Sequence, residues 1–186
     1  DGGSIIWYNT IKAIKALTPT TTLETLIPDF RGIQEQINRI IEAAPEVVSH
    51  NMETVERITQ KVRVQAKYRR SLGVLETLKK GGMRTKTGIM LGIGEQKEEV
   101  IQTMKDLVSV GTDVLTLGQY LQPTKKHLAV QRFVHPDEFA ELRQIGYELG
   151  FDYVESGPLV RSSYHSEKHV IAGWGRNKWQ EELLPH

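Results

Sequence analysis

The stretch from Arg84 to Glu95, RTKTGIMLGIGE, constrains this chain more than any other. Thr87 to Leu91 is a short apolar run closed by Gly92-Ile93-Gly94-Glu95, and Lys97 to Val110 then turns to helical spacing. That order predicts a buried strand, a tight glycine loop and a helix, which is half of a βαβ unit. Glycine at the junction lets backbone pass close to a ligand, because no Cβ blocks the approach and positive φ costs little. A tight turn with no ligand needs the same residues.

The alternation recurs on both sides. Ile11, Ile14 and Leu17 form a helical stripe within Ile5 to Leu17, ended by Pro19. Thr22 to Ile27 reads as a strand running into Pro28-Asp29-Phe30-Arg31-Gly32, and Ile33, Ile37, Ile40, Ile41 and Ala44 as one face of a second helix. Val47 to Ser49 is a brief strand with His50-Asn51-Met52-Glu53-Thr54 at its end. A less regular basic segment follows, then a helix near Tyr68 to Lys80 with Leu72, Leu75 and Leu78 inward, stopped by Gly81-Gly82. Val114 to Gly118 is a strand emptying into Gln119-Tyr120-Leu121-Gln122-Pro123. Pro136 with Asp137 and Glu138 starts a helix that Gly150 stops, and Phe151 to Ser156 is a last strand before Gly157-Pro158. The end, with Trp174 and Trp179 among charges, has no period and reads as a tail.

Strands separated by helices pair in parallel through right-handed crossovers. Polar or glycine-rich groups follow four successive strands here: Pro28-Asp29, His50-Asn51-Glu53, Gly92 to Glu95, and Gln119-Tyr120. In a βα barrel such positions gather at one rim, where active sites are built, whereas an open sheet concentrates them at one crevice. The expected class is therefore α/β, a partial parallel barrel with too few strands to close an eight-stranded one. A net charge of +1 over 186 residues and the lack of any long apolar stretch imply neither nucleic-acid attraction nor a membrane span. Cysteine is absent, which excludes disulfides and thiolate-held clusters or zinc from these residues and is compatible with a cytoplasmic setting. Asp1-Gly2-Gly3 is neither an initiator methionine nor a signal peptide, and suggests a fragment with sequence upstream.

Five segments in order carry a resemblance: His50-Asn-Met-Glu-Thr54, Tyr68-Arg-Arg-Ser-Leu72, Gly88-Ile-Met-Leu-Gly-Ile-Gly-Glu95, Gly118-Gln-Tyr-Leu-Gln-Pro123 and Arg161-Ser-Ser-Tyr-His165. Together they resemble lipoyl synthase, a family of radical S-adenosylmethionine enzymes, from Asp1 to about His169. The resemblance implies a TIM-like (β/α)6 partial barrel of the radical SAM type, truncated here at its N-terminus, over residues 1–156, with a C-terminal extension over 157–186. It implies a sulfurtransferase that inserts two sulfur atoms at C6 and C8 of a protein-bound octanoyl-lysine. The implied cofactors are S-adenosyl-L-methionine and two [4Fe-4S] clusters, one of them consumed as the sulfur source. The implied partners are an octanoylated lipoyl carrier domain, on a 2-oxoacid dehydrogenase E2 chain or the glycine cleavage H protein, and an electron donor such as ferredoxin or flavodoxin. The compartment would be cytoplasmic, or organellar in a eukaryote. The family holds its clusters with cysteine motifs that are not among these residues, so this chain alone is expected to be inactive.

Carried over residue by residue, Gly92, Gly94 and Glu95 resemble the loop whose backbone lines the adenine side of S-adenosylmethionine. Asn51 and Glu53 follow a strand end, where a carboxylate accepting from two ribose hydroxyls is physically apt, although helix capping or a plain loop role fits the same residue types. His50 reads equally as a structural donor. Arg69 and Arg70 suit a carboxylate clamp, since a guanidinium fork matches a carboxylate, and Gln119 and Tyr120 complete the cofactor-binding set. They share a basic stretch with Lys61, Arg63, Lys67, Lys79, Lys80, Arg84 and Lys86, which is either a solvated face or a dock for an acidic carrier domain. Lys125-Lys126-His127 suits the same docking. The resemblance makes one serine of Arg161 to His165 an oxygen ligand to a cluster iron, Ser163 in preference to Ser162; the residues alone read as an ordinary loop. His165 and His169 are spaced to share a helix face but lack a third ligand nearby. No residue is assigned as catalytic. The competing class is a non-catalytic carrier- or nucleoside-binding module that has lost its clusters. A generic barrel lyase or aldolase lacks its natural Schiff-base candidate: Lys86 is on a strand, but nothing in the sequence shows that it is desolvated.

Overall fold

Parallel pairing runs through the whole sheet of the computed structural model, which describes residues 1–171. Five strands, β1 (Glu24–Leu26), β2 (Val47–Ser49), β3 (Arg84–Leu91), β4 (Val114–Gln119) and β5 (Tyr153–Gly157), lie side by side in chain order. Every neighbouring pair is parallel. A strand order that never reverses is the order of a barrel wall and not of a doubly wound sheet. The fold is thus a partial parallel βα barrel, as the sequence predicted. The Trp174–Trp179 tail lies outside the described residues.

Helix α1 (Ser4–Leu17) precedes β1, and helices fill the crossovers: α2 (Gln34–Ala43), α3 (Glu56–Val62), α4 (Tyr68–Lys80), α5 (Lys97–Ser109) and α6 (Pro136–Leu149), with the short α7 (Ser166–His169) after β5. Their ends follow local chemistry. Gln96 and Glu99 form a reciprocal capping box on α5, and Pro136 occupies the first turn of α6, where a missing N–H costs nothing. Two elements depart from the sequence reading. Helix α3 buries only Ile58 and Thr59, too few to leave a periodic stripe. Strand β3 starts at Arg84 and not at Thr87, because Arg84 and Lys86 enter the sheet as ion-paired side chains, which an apolar-run criterion cannot recognise.

The core lies between sheet and helices. Ile89, Leu91, Leu115 and Leu117 of β3 and β4 pack with Leu75, Met104, Leu107, Phe139 and Leu142 from α4, α5 and α6. A smaller cluster joins Ile27, Val48, Phe30, Ile37, Ile40, Val74 and Leu78 around β1, β2, α2 and α4. Alternate strand residues point away from this core, so Glu24, Ser49, Lys86, Gly88 and Thr116 face the barrel interior. Among the described residues, no helix is long and apolar enough to cross a membrane.

One irregularity positions the rim. Ser49 pairs with Lys86 and Glu53 with Ile89, four residue steps on one strand against three on the other. The extra residue is a β-bulge, rare in a parallel pair and a device for re-aiming a side chain. Glu53 sits there at φ 66, a left-handed conformation unusual for a residue with a Cβ.

The chain after β5 lies back across the sheet: a Cβ on Gly118 would stand 2.3 Å from the Val160 carbonyl oxygen. Gly118→Ala must therefore displace that segment and should cost about 1–3 kcal/mol in urea unfolding. A Cβ on Gly73, inside α4, would meet nothing within 4 Å, so Gly73→Ala should gain up to about 1 kcal/mol in the same measurement.

Candidate functional site

Parallel strands bring their C-terminal ends to one edge, and the 51–53 loop after β2, the glycine loop after β3, the 119–120 turn after β4 and the segment following β5 all meet there. Between them is a cavity of about 150 Å³ lined by Asn51, Glu53, Gly88, Thr116, Arg161 and Ser162 among others. Asn51 Oδ1 is buried with no hydrogen-bond partner. Gly88 is required beside it, since a Cβ there would approach Thr116 Oγ1 to 2.9 Å and Asn51 Oδ1 to 3.2 Å. Burial raises the Glu53 carboxyl above its ordinary range, partly offset by a hydrogen bond from the Asn51 side chain and by the charge of Arg63. An orphaned amide oxygen next to a half-buried carboxylate is an acceptor pair awaiting donors, which fits the hydroxyls of a ribose.

Other expected residues are engaged within the fold. The Glu95 carboxylate is buried and accepts from Gly92 N at 2.7 Å and Ile93 N at 2.9 Å, so it shapes the glycine loop. Gly92, at φ 98, is needed because a Cβ would fall 2.4 Å from both Arg132 O and Gln119 Nε2. Gln119 donates to the carbonyls of Tyr120 and Arg132 and accepts from Val134 N, pinning the loop that follows it. Tyr120 donates its hydroxyl to Leu128 O at 2.9 Å. Neither side chain lines the cavity.

Arg69 and Arg70 are not brought to the cavity. Arg69 makes a two-pronged pair with Glu56 at 2.9 Å on the outer surface, and Arg70 reaches Asp29 at 2.7 Å and the Gln65 carbonyl. The basic stretch is largely neutralised in the same way: Lys79 pairs with Asp113, Lys80 with Glu76, Arg84 with Asp152 and Lys86 with Glu24. Ser162 lines the cavity, whereas Ser163 lies exposed in the adjoining turn. His165 and His169 part company: the latter is fully buried against the Tyr153 ring, 5.0 Å between centroids.

Sequence reasoning passed over three groups. Thr116 is a hydroxyl in an otherwise apolar strand, a signal that was there to read. Arg63 was merged into the basic run. The third is the pair Glu24 and Ser49 inside the barrel, where Lys86 Nζ donates to both Glu24 oxygens at 2.7 and 2.8 Å and Ser49 Oγ donates to Glu24 at 2.6 Å. Burial lowers this ammonium below its ordinary range and the Glu24 carboxylate opposes that shift, while both short bonds tie the nitrogen to Glu24 as an ion pair.

The donor set for an iron–sulfur cluster does not fit these residues. None of the 186 is cysteine, and the described residues contain no group of three or more His, Asp or Glu placed to hold a metal.

The sequence model of the Radical SAM superfamily matches residues 6–107. The lipoyl synthase of Flavobacterium johnsoniae is 64% identical over 172 residues, covering 92% of this chain and 60% of that protein. The mitochondrial lipoyl synthase of Nematostella vectensis is 61% identical, covering 91% of this chain and 59% of its own length. The chain thus spans about 60% of the length of these curated relatives. Among solved structures, methylornithine synthase superposes with a TM-score of 0.67 at 12% identity, over 81% of this chain and 44% of that one, a likeness of fold.

The Glu24 network makes a pH prediction. Burial opposes ionisation of Glu24, but the nearby His169 imidazole and the hydrogen bonds from Lys86 and Ser49 outweigh it and bring the carboxyl from 4.5 down to about 2. A carboxyl depressed on folding contributes stability that is complete above its unfolded value and is lost as pH falls through its folded one. The stability advantage of the wild type over Glu24→Gln should therefore shrink between pH 5 and pH 2 in denaturant titrations.

Proposed function

This chain belongs to the Radical SAM superfamily, and from that premise we propose that it forms part of a lipoyl synthase, inserting sulfur at C6 and C8 of an octanoyl-lysine on a lipoyl carrier domain. The observation that carries the reading is that four of the five motifs resembling that family, all but Tyr68 to Leu72 on α4, fall at or after strand ends of one rim, around a cavity with an unpartnered amide oxygen. Asn51 and Glu53 would accept the ribose hydroxyls of S-adenosylmethionine, and the backbone of Gly92 to Gly94 would line its adenine. Donors from the ligand would return to Glu53 the solvation that burial removes. Ser162 and Ser163, beside the cavity, would face the reacting end, with Ser163 retained as the proposed oxygen ligand to iron. When bound, S-adenosylmethionine supplies the 5′-deoxyadenosyl radical that takes hydrogen from the octanoyl chain. Thiolates for two [4Fe-4S] clusters would come from outside these residues, as would the electron, from a ferredoxin or flavodoxin. The Lys125-Lys126-His127 loop, on the same rim, would meet an acidic carrier domain.

Two measurements test this on the full-length protein. Calorimetric titration with S-adenosylhomocysteine should show Glu53→Gln binding about tenfold or more weaker than wild type, a loss of about 1.4 kcal/mol; unchanged affinity overturns the assignment of the cavity. Ser163→Ala, after anaerobic reconstitution with iron and sulfide, should lose lipoyl product from an octanoylated carrier while still cleaving S-adenosylmethionine. Full product formation by that variant removes Ser163 as ligand.

A further inference from the structure

The bulge between β2 and β3 leaves backbone groups in need of new partners. His50 N still reaches Lys86 O and Glu53 N reaches Gly88 O, but the residues between them leave the ladder. Thr87 Oγ1 takes the Met52 N–H at 3.1 Å. The carbonyls freed by the bulge fall to Arg63, which follows α3: its Nη1 donates to Asn51 O at 2.8 Å and reaches Met52 O at 3.5 Å. The same nitrogen donates to Ser71 Oγ at 3.1 Å. Ser71 in turn donates to His50 Nε2 at 2.9 Å, and His50 Nδ1–H donates to Ile27 O at 3.0 Å. Burial takes the His50 imidazole down to about 4, so it is neutral at ordinary pH, with the proton on Nδ1 as this chain of donors requires.

We propose that Arg63 is the positioning residue of the rim site, fixing from behind the bulge that presents Asn51 and Glu53. The inference rests on the reading of that pair as the receptor for a nucleoside's hydroxyls. Two independent features support it. The first is geometric: both carbonyls of the peptide units flanking Met52 converge on one guanidinium nitrogen. The second is electrostatic: Glu53 is half-buried, and the groups acting on it are Asn51 on its own loop and Arg63, with Arg161 lining the same cavity from the segment after β5. All three bonds leave from Nη1, at the far end of the guanidinium, so a lysine at this position would keep the charge but, on its shorter stem, would not bring its nitrogen to the same place between the carbonyls and the hydroxyl.

The test compares Arg63→Gln, Arg63→Lys and Glu53→Gln with wild type in the full-length protein. Affinity for S-adenosylhomocysteine is read by calorimetry, and the Glu53 titration by NMR of 13C-labelled carboxyls. Arg63→Gln should weaken the probe about tenfold or more and move the Glu53 carboxyl upward. Arg63→Lys should leave the Glu53 titration near wild type yet still bind more weakly. A residue serving stability alone would lower the unfolding temperature without moving Glu53. Wild-type affinity in both Arg63 variants, with Glu53→Gln impaired, overturns the role of Arg63 and leaves the site reading standing; wild-type affinity in Glu53→Gln overturns both. Should Arg63→Gln fail to fold, Arg63→Lys carries the decision, since wild-type affinity in that variant shows that the guanidinium is not needed to place the bulge.

Discussion

Where a parallel strand ends, its backbone N–H and C=O groups lose their ladder partners, and something else must take them up. That constraint organises the rim of this barrel. The Glu95 carboxylate takes two N–H groups of the glycine loop, the Gln119 amide closes on the loop beyond β4, and the Arg63 guanidinium takes the carbonyls of the bulge. These polar side chains face inward to the protein's own backbone. Those left over, Asn51 Oδ1 and the Glu53 carboxylate, are the ones open to a ligand.

The division explains how one short motif mixes two kinds of residue. Gly92 and Glu95 sit three positions apart in the same loop, yet the carboxylate serves the loop's shape. Asn51 and Glu53 flank Met52, which is buried in the core, so the bulge throws its two polar neighbours toward the interior of the barrel while anchoring itself through the apolar one. The left-handed Glu53 costs roughly 1–2 kcal/mol of backbone strain, which the Arg63 and Thr87 bonds help to hold.

Charge is handled in a similar way. A run of basic residues in the sequence becomes, in three dimensions, a set of pairs with Glu56, Asp29, Asp113, Asp152 and Glu24, which lie outside the run, and with Glu76 one helical turn away on α4. Inside the barrel, Lys86 is fully buried but satisfied by Glu24, so a position that suits imine chemistry is occupied by a structural ion pair.

What the sequence by itself determined was periodicity: apolar spacing, glycine stops and helix-start signals placed β2, α4, β4 and α6 within a residue or so and required a parallel α/β arrangement. Motif order likewise pointed to the family, because local motifs survive in one dimension. Only the tertiary structure decided which polar residues were free. Arg69 faces Glu56 thirteen residues away, Arg63 reaches back to Asn51 and Gln119 forward to Val134. A side chain's availability for a ligand depends on partners that folding brings from elsewhere, and no local pattern encodes them.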